Sequence, residues 1–246
     1  MGEIITVVSG KGGTGKTTVC AAVATCLAAE GKRVLCIDAD IGLRNLDISL
    51  GMADLPIIAF PDVMHGHYAL SDAAQHPQLE KLFLLTAPVR EQDEDIDVTE
   101  FGHFLREIRQ EYDFCLIDSA AGIGTSFRLT TRYADRILVV STPDPASMRD
   151  AERAAELLTL DGKESIHLIV NRITPKLFSR MRLTVDDMMD DVGLPLLGIV
   201  PEDSEVVLAA ASGEALIFSA VDGAAEACLR ISRRLRGVPT PLMKIR

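Results

Sequence analysis

Gly10-Lys11-Gly12-Gly13-Thr14-Gly15-Lys16-Thr17 fits the pattern GxxxxGK[ST], and it stands between an apolar, β-branched run at residues 4–9 and a helix-like stretch at residues 17–30. A chain of ordinary composition and this length would contain the pattern by chance about once in a hundred. The strand-then-helix setting is the context that gives it meaning. Glycines let backbone N–H groups turn inward around phosphate oxygens, and the following helix points its positive end at them. Gly10, Gly12, Gly13, Thr14 and Gly15 are therefore expected to wrap a nucleotide's phosphates. Lys16 is expected to neutralise the β and γ charges, Thr17 to offer its hydroxyl to Mg2+, and Thr18 to reach the α-phosphate.

The rest of the chain alternates in the same way. Short apolar runs at residues 34–38, 82–86, 114–118, 136–141, 167–171 and 196–200 read as strands. Residues 100–111, 126–133, 146–160, 186–191, 204–211 and 222–236 read as helices, with Gly31 and Gly193 where C-caps belong. This predicts an α/β fold of the P-loop NTPase kind, a doubly wound, mainly parallel β-sheet flanked by helices on both faces. With 246 residues, 48% of them hydrophobic, one domain is expected. It spans residues 1–236, leaving 237–246 as a linker and a short basic amphipathic tail. The run "EQDEDID" at residues 91–97 is expected to be a solvated loop.

Charge narrows the partners. There are 36 acidic and 25 basic side chains, for a formal charge of −11, so nucleic acid is an unlikely partner and any basic contact must be local. Residues 227–246 carry Arg230, Arg233, Arg234, Arg236, Lys244 and Arg246 and no acid. The five cysteines form no CxxC pair and are expected to be buried thiols in a reducing cytosol. The opening residues lack a signal-like apolar region and nowhere do 18 apolar residues run together, which predicts a cytoplasmic protein.

Carboxylates gather where ligands collect in such folds, beyond the C-terminal edge of the sheet. "DADIGLRNLD" supplies Asp38, Asp40 and Asp47. Asp38 is expected to hold a metal-bound water and Asp40 to orient the attacking one. "FCLIDSAAGIG" closes an apolar strand with Asp118, a second carboxylate for the metal's outer shell, and Gly122 and Gly124 leave the next segment free to follow the γ-phosphate. The expected metal set is thus Thr17, Asp38 and Asp118. Lys11 is superfluous within a single loop already served by Lys16, and it makes sense if it reaches the phosphates of a facing subunit.

The string KGGTGKTT resembles the deviant Walker A loop of the MinD/ParA family of ATPases, in which the first lysine crosses a dimer interface. The resemblance implies ATP sandwiched in a homodimer, with Lys11, Lys16 and Asp40 as the catalytic set. "IGLRNLD" at residues 41–47 and "SMRDAER" at 147–153 are similar to the MinD members of that family. This implies that Asn45, Arg149 and Asp150 face a sandwich partner and a MinC-like division inhibitor, with a MinE-like or other activator. "IVNR" and "VPED" imply an adenine pocket built from Asn171, Arg172, Pro201, Glu202 and Asp203, with Asn171 reading the base's polar edge. Where the family's switch usually reads DSPAGIE, this chain has Ala120 and Gly124.

The tail, Leu242, Met243 and Ile245 with Lys244 and Arg246, implies weak, reversible attachment to an anionic membrane at its inner face. The expected function is a Mg2+-dependent ATPase that positions the division site. The alternatives are a ParA-like ATPase that positions DNA or flagella, and a nucleotide-gated scaffold that scarcely hydrolyses.

Overall fold

The computed structural model of the chain describes residues 1–41, 44–88, 96–176, 180 and 184–244. Gly42 and Leu43 of the first acidic stretch, residues 91–95 of the charge run, and Ile245 and Arg246 of the tail lie outside them. The strands are β1 (Glu3–Val8), β2 (Val34–Ala39), β3 (Ala74–Gln75), β4 (Leu82–Leu85), β5 (Phe114–Ser119), β6 (Arg136–Ser141), β7 (Ile166–Ile173) and β8 (Leu196–Pro201). They form one sheet in the order β3-β4-β2-β5-β1-β6-β7-β8. Every pairing is parallel except that of β3 with β4, so the expected doubly wound sheet is present.

The described helices are α1 (Lys16–Ala29), α2 (Leu46–Leu50), α3 (Phe60–Met64), α4 (Val98–Glu111), α5 (Thr125–Arg132), α6 (Pro145–Leu160), α7 (Val185–Val192), α8 (Glu205–Ala211), α9 (Leu216–Ser219) and α10 (Gly223–Leu235). Gly31 and Gly193 follow α1 and α7 in the left-handed region, as their positions predicted. Asp97 caps α4 by accepting from the N–H groups of Thr99 and Glu100, and Thr184 forms a capping box with Asp187 at α7.

Central strands buried on both faces read as continuous apolar runs because helices cover them front and back. On one face α1 lays Val19, Val23 and Leu27 against Ile5, Val7, Cys36 and Leu116, and α10 joins the same core through Cys228, Ile231 and Leu235. The opposite face is divided. Phe101, Phe104 and Ile108 of α4 pack on Leu35, Ile37 and Ile117, while Ala151, Ala154 and Leu158 of α6 pack with Met188 of α7 on Val139, Leu168 and Val170. Each fully buried Phe, Leu or Ile contributes about 1.5–3 kcal/mol to this arrangement. All five cysteines are free and buried. Among the described residues no helix is long and apolar enough to cross a membrane.

Three arginines of the basic segment are paired within the fold. Arg233 and Arg236 both pair with Glu30 at the end of α1, and Arg230 pairs with Glu226 one turn back. Arg230 and Arg234 also donate to the carbonyls of Pro241 and Thr240, and Met243 packs on the body. The arginines thus fasten α10 and residues 240–241 to the fold instead of standing as a free cationic face.

Candidate functional site

Strand order brings the site together. β1, β2 and β5 are central, and Asp38 at the end of β2 is the register partner of Asp118 at the end of β5, which in turn pairs with Val7 of β1. The loop between β1 and α1 therefore opens beside two carboxylates. It is shaped by Gly13 (φ +81°) and Gly15 (φ +85°), both in the left-handed region that a side chain disfavours. At Gly10 a Cβ would stand 2.3 Å from the carbonyl oxygen of Asp150, so a glycine is what lets α6 approach the loop. α1 begins at Gly15 with no side-chain cap. Its first N–H groups are thereby left to an anion.

Lys16 is 5% exposed, and its Nζ donates to Asp118 Oδ1 at 2.5 Å. Burial pushes the Asp118 carboxyl up, opposed by the Lys16 ammonium and by a hydrogen bond from the Thr17 side chain. Asp38, 1% exposed, accepts from the N–H groups of Asp40 at 3.0 Å and of Asn45 and Leu46 at 3.1 Å. Burial raises its carboxyl against the pull of those N–H groups. Asp40 is also raised by burial, with the Lys16 charge opposing and the Asp38 charge adding to the shift. Asp47 faces elsewhere, accepting from Arg44 Nε at 2.8 Å.

Lys11 occupies a different position. Its Nζ stands 3.1 Å from Asp144 Oδ1, with 36% of its side chain exposed. Asp144 caps α6 by accepting from the Ser147 N–H at 3.0 Å and takes a 2.6 Å bond from the Thr142 hydroxyl. Burial pushes its carboxyl up, but those two bonds and Lys11 outweigh it and hold the group at about 2. The Asp144-Pro145 pair is a helix-start signal in the sequence. Nothing local in it points to Lys11.

The segment after β5 is tied at both ends. The Gly122 N–H donates to the Ser9 carbonyl at 2.9 Å. The Ala120 N–H donates to Ser126 Oγ at 3.2 Å, and that hydroxyl donates to the Ala39 carbonyl at 3.0 Å. A proline in place of Ala120 would lack this N–H. Ser126 escaped the sequence reading because a serine in a helical first turn is ordinary.

On the other flank, Gly15, Thr18, Asn171, Arg172, Pro201, Glu202, Asp203 and Val207 line one cleft. Asn171 Nδ2 donates to the Thr14 carbonyl at 2.8 Å, and Arg172 Nη1 to the Gly13 carbonyl at 3.1 Å. Both oxygens of Asp203 are engaged, by the N–H groups of Glu205 and Ala224. Asp203 thereby ties the start of α10 to this cleft. A second cavity of about 840 Å³ lies between the cleft's rim at Pro201 and Glu202 and tail residues 241–244. Of the three expected partner contacts, Asn45 precedes α2 on the β2 side of the loop, while Arg149, exposed, and Asp150 lie on α6 at the β6 side.

The arrangement has the form of a polyphosphate cradle with buried carboxylates at its floor and one lysine at its rim. Residues 5–217 match the CobQ/CobB/MinD/ParA nucleotide binding domain. A septum site-determining protein MinD from Synechocystis is 35% identical over 99% of this chain and 92% of its own length. The MinC:MinD cell division protein complex of Aquifex aeolicus superposes with a TM-score of 0.90 at 36% identity, covering 98% of this chain and 99% of that one. MinD complexed with Mg-ADP from Pyrococcus horikoshii superposes with a TM-score of 0.82 at 28% identity, covering 96% of both chains. The chain belongs to the MinD septum-site-determining branch of the CobQ/CobB/MinD/ParA family and is a P-loop ATPase.

Proposed function

We propose that this ATPase is a nucleotide-gated homodimer. Two copies close face to face around ATP, the closed pair recruits a MinC-like division inhibitor at the inner face of the cell membrane, and hydrolysis under a MinE-like or other activator parts them. The observation that carries this reading is the contrast between the two lysines. The Lys16 side chain is 6% exposed and faces its own carboxylate, whereas the Lys11 side chain is 36% exposed at the rim, where a facing copy's phosphates could meet it.

The residues fit a magnesium nucleotide. Two left-handed glycines curl the loop, α1 begins uncapped, and Thr14 Oγ1 lies buried with no hydrogen-bond partner among the described residues. Thr17, backed by Asp38 and Asp118, would hold Mg2+, which when bound supplies charge neutralisation at the β and γ oxygens. Lys16 would leave Asp118 for those oxygens. Asp40 orients the attacking water by accepting its hydrogen bond, and Lys11 of the facing copy balances charge developing on the transferred group. Residues 1–236 are the ATPase unit and 237–246 the tail that meets anionic lipid.

Light scattering behind a sizing column tests the reading. Twice the monomer mass in ATP and the monomer mass in ADP are expected, with a Lys11→Gln chain monomeric in both; equal masses in ATP and ADP would sink it. One feature favours slow turnover: Ala120 and Gly122 are held by Ser126 and Ser9, in a switch that lacks the family's usual glutamate. Phosphate release with and without anionic vesicles separates an ATPase cycle from a nucleotide-gated scaffold. A DNA-positioning role is disfavoured by the ion pairs that occupy Arg230, Arg233 and Arg236.

A further inference from the structure

Arg172 is the one residue other than glycine with positive φ, +58°, among the described residues. It sits where the register between β7 and β8 slips, between Val170 and Ile173. A left-handed arginine is disfavoured by about 1 kcal/mol or more, so something in the folded chain holds it there. The slip turns two consecutive side chains toward the phosphate loop. Asn171 Nδ2 donates to Thr14 O at 2.8 Å and Arg172 Nη1 to Gly13 O at 3.1 Å, while Arg172 Nε faces Glu202 Oε2 at 3.7 Å. Two adjacent donors thus hold two adjacent loop carbonyls, across 157 and 159 residues of sequence.

The peptide unit is a rigid trans plane in which C=O and the following N–H point in opposite directions. Anchoring the Gly13 carbonyl therefore aims the Thr14 N–H away from Arg172, and anchoring the Thr14 carbonyl does the same for the Gly15 N–H. The flanking glycines, left-handed and without side chains, could otherwise rotate these planes at little cost. We infer that Arg172 is a positioning residue for the phosphate loop: together with Asn171 it fixes the peptide planes whose N–H groups face the phosphates, and its guanidinium does not read the base. The inference rests on the nucleotide reading above and assigns to Arg172 a task other than lining the adenine pocket.

Arg172→Gly removes the guanidinium and also the unfavourable φ, so the variant keeps its fold, which a thermal melt verifies. Arg172→Lys keeps a positive charge that can still reach one carbonyl. Titrations with ADP, with inorganic pyrophosphate and with adenosine separate the roles. Arg172→Gly should weaken ADP and pyrophosphate by the same factor, about tenfold for one hydrogen bond from a charged donor. Adenosine binding and the preference for ATP over GTP should stay as in the unaltered chain, and Arg172→Lys should recover part of the loss. Unchanged pyrophosphate affinity in Arg172→Gly would overturn the inference, as would a loss confined to adenosine or to the ATP preference. If the unaltered chain itself took up neither ADP nor pyrophosphate, the nucleotide reading would fall, and this one with it.

Discussion

Lys11 Nζ and Asp144 Oδ1 lie 3.1 Å apart, joining the phosphate loop to the start of α6 across 133 residues of sequence. The bond holds the rim lysine within its own subunit, so the proposed reach of Lys11 to a second copy's phosphates would have to break it. Both partners are more than a third exposed, which keeps the pair weak and sensitive to salt. Asp144→Asn keeps an N-cap for α6 while removing the charge that detains Lys11. The proposed ATP-driven dimer, which releases two such pairs, should then form at up to about thirtyfold lower protein concentration, a gain that shrinks in high salt. Sedimentation across a concentration series reads this directly, and an unshifted midpoint at low salt would show that Asp144 does not restrain Lys11.

The second lysine is held more firmly. Lys16 and Asp118 form a buried pair, and breaking such a pair by deleting one partner costs about 3–5 kcal/mol, because the other charge stays buried. Asp118→Ala should lose about that much in urea unfolding without nucleotide. ADP without Mg2+ should restore more stability to the variant than to the unaltered chain, since phosphates give the stranded ammonium a counter-charge. Equal stabilisation of both by ADP would mean that Lys16 does not meet the phosphates.

These pairings mark what a sequence can and cannot disclose here. The loop, the seven longer strands and the larger helices rest on local signals: a fixed glycine spacing, β-branched runs, capping residues. Lys16 and Asp118 were legible as separate site residues because each sits in its own motif, although 102 positions part them. The Glu30 that takes Arg233 and Arg236 was not, and neither were the carbonyls held by Asn171 and Arg172, since no local pattern marks a partner that distant. Ala74–Gln75 and the short α2, α3 and α9 carry too few residues for a period, and they exist because the surrounding chain closes on them.

His76 is one such closure. Its Nδ1 accepts from the N–H groups of Gln78 and Leu79, both at 3.1 Å, so Nε2 carries the proton it donates to the Leu50 carbonyl at 2.9 Å. Protonating Nδ1 would break two bonds, and burial holds the imidazole below its ordinary value of 6.5. The unfolded chain therefore binds the proton first, so this stability is present above about pH 6.5 and is lost as pH falls through the folded value. Asp38 and Asp118, both raised, contribute with the opposite sign. The difference in slope between the unaltered chain and His76→Asn isolates the histidine. Urea unfolding at pH 7.5 and 5.5 should show the unaltered chain losing more stability than the variant, and equal losses would show that the histidine does not carry the effect.

Ser126 bridges the ends of two strands through one hydroxyl, accepting from Ala120 and donating to Ala39. Ser126→Ala should loosen the segment proposed to follow the γ-phosphate while leaving the β1–α1 loop intact. Turnover in a phosphate-release assay is expected to rise severalfold, by about one hydrogen bond's worth, at unchanged ADP affinity. Unchanged turnover would show that the tie does not hold the segment back, and a change in ADP affinity would place the effect on the cradle instead.

The tail offers the last test. Leu242 and Met243 can each contribute about 1–2 kcal/mol in a lipid interface, and Lys244 about 1 kcal/mol beside an anionic surface. Set against this is the docking of the same segment on the body, through Arg230 to the Pro241 carbonyl, Arg234 to that of Thr240, and the packing of Met243. A single tail should therefore bind weakly, and two tails on one dimer should gain by acting together. Removing residues 240–246 is expected to abolish ATP-dependent sedimentation with anionic vesicles and to leave ATP-driven pairing and basal turnover as they were. If the shortened chain still sedimented with vesicles in ATP, the lipid contact would have to lie on the body of the dimer, and residues 240–244 would be a strap for α10.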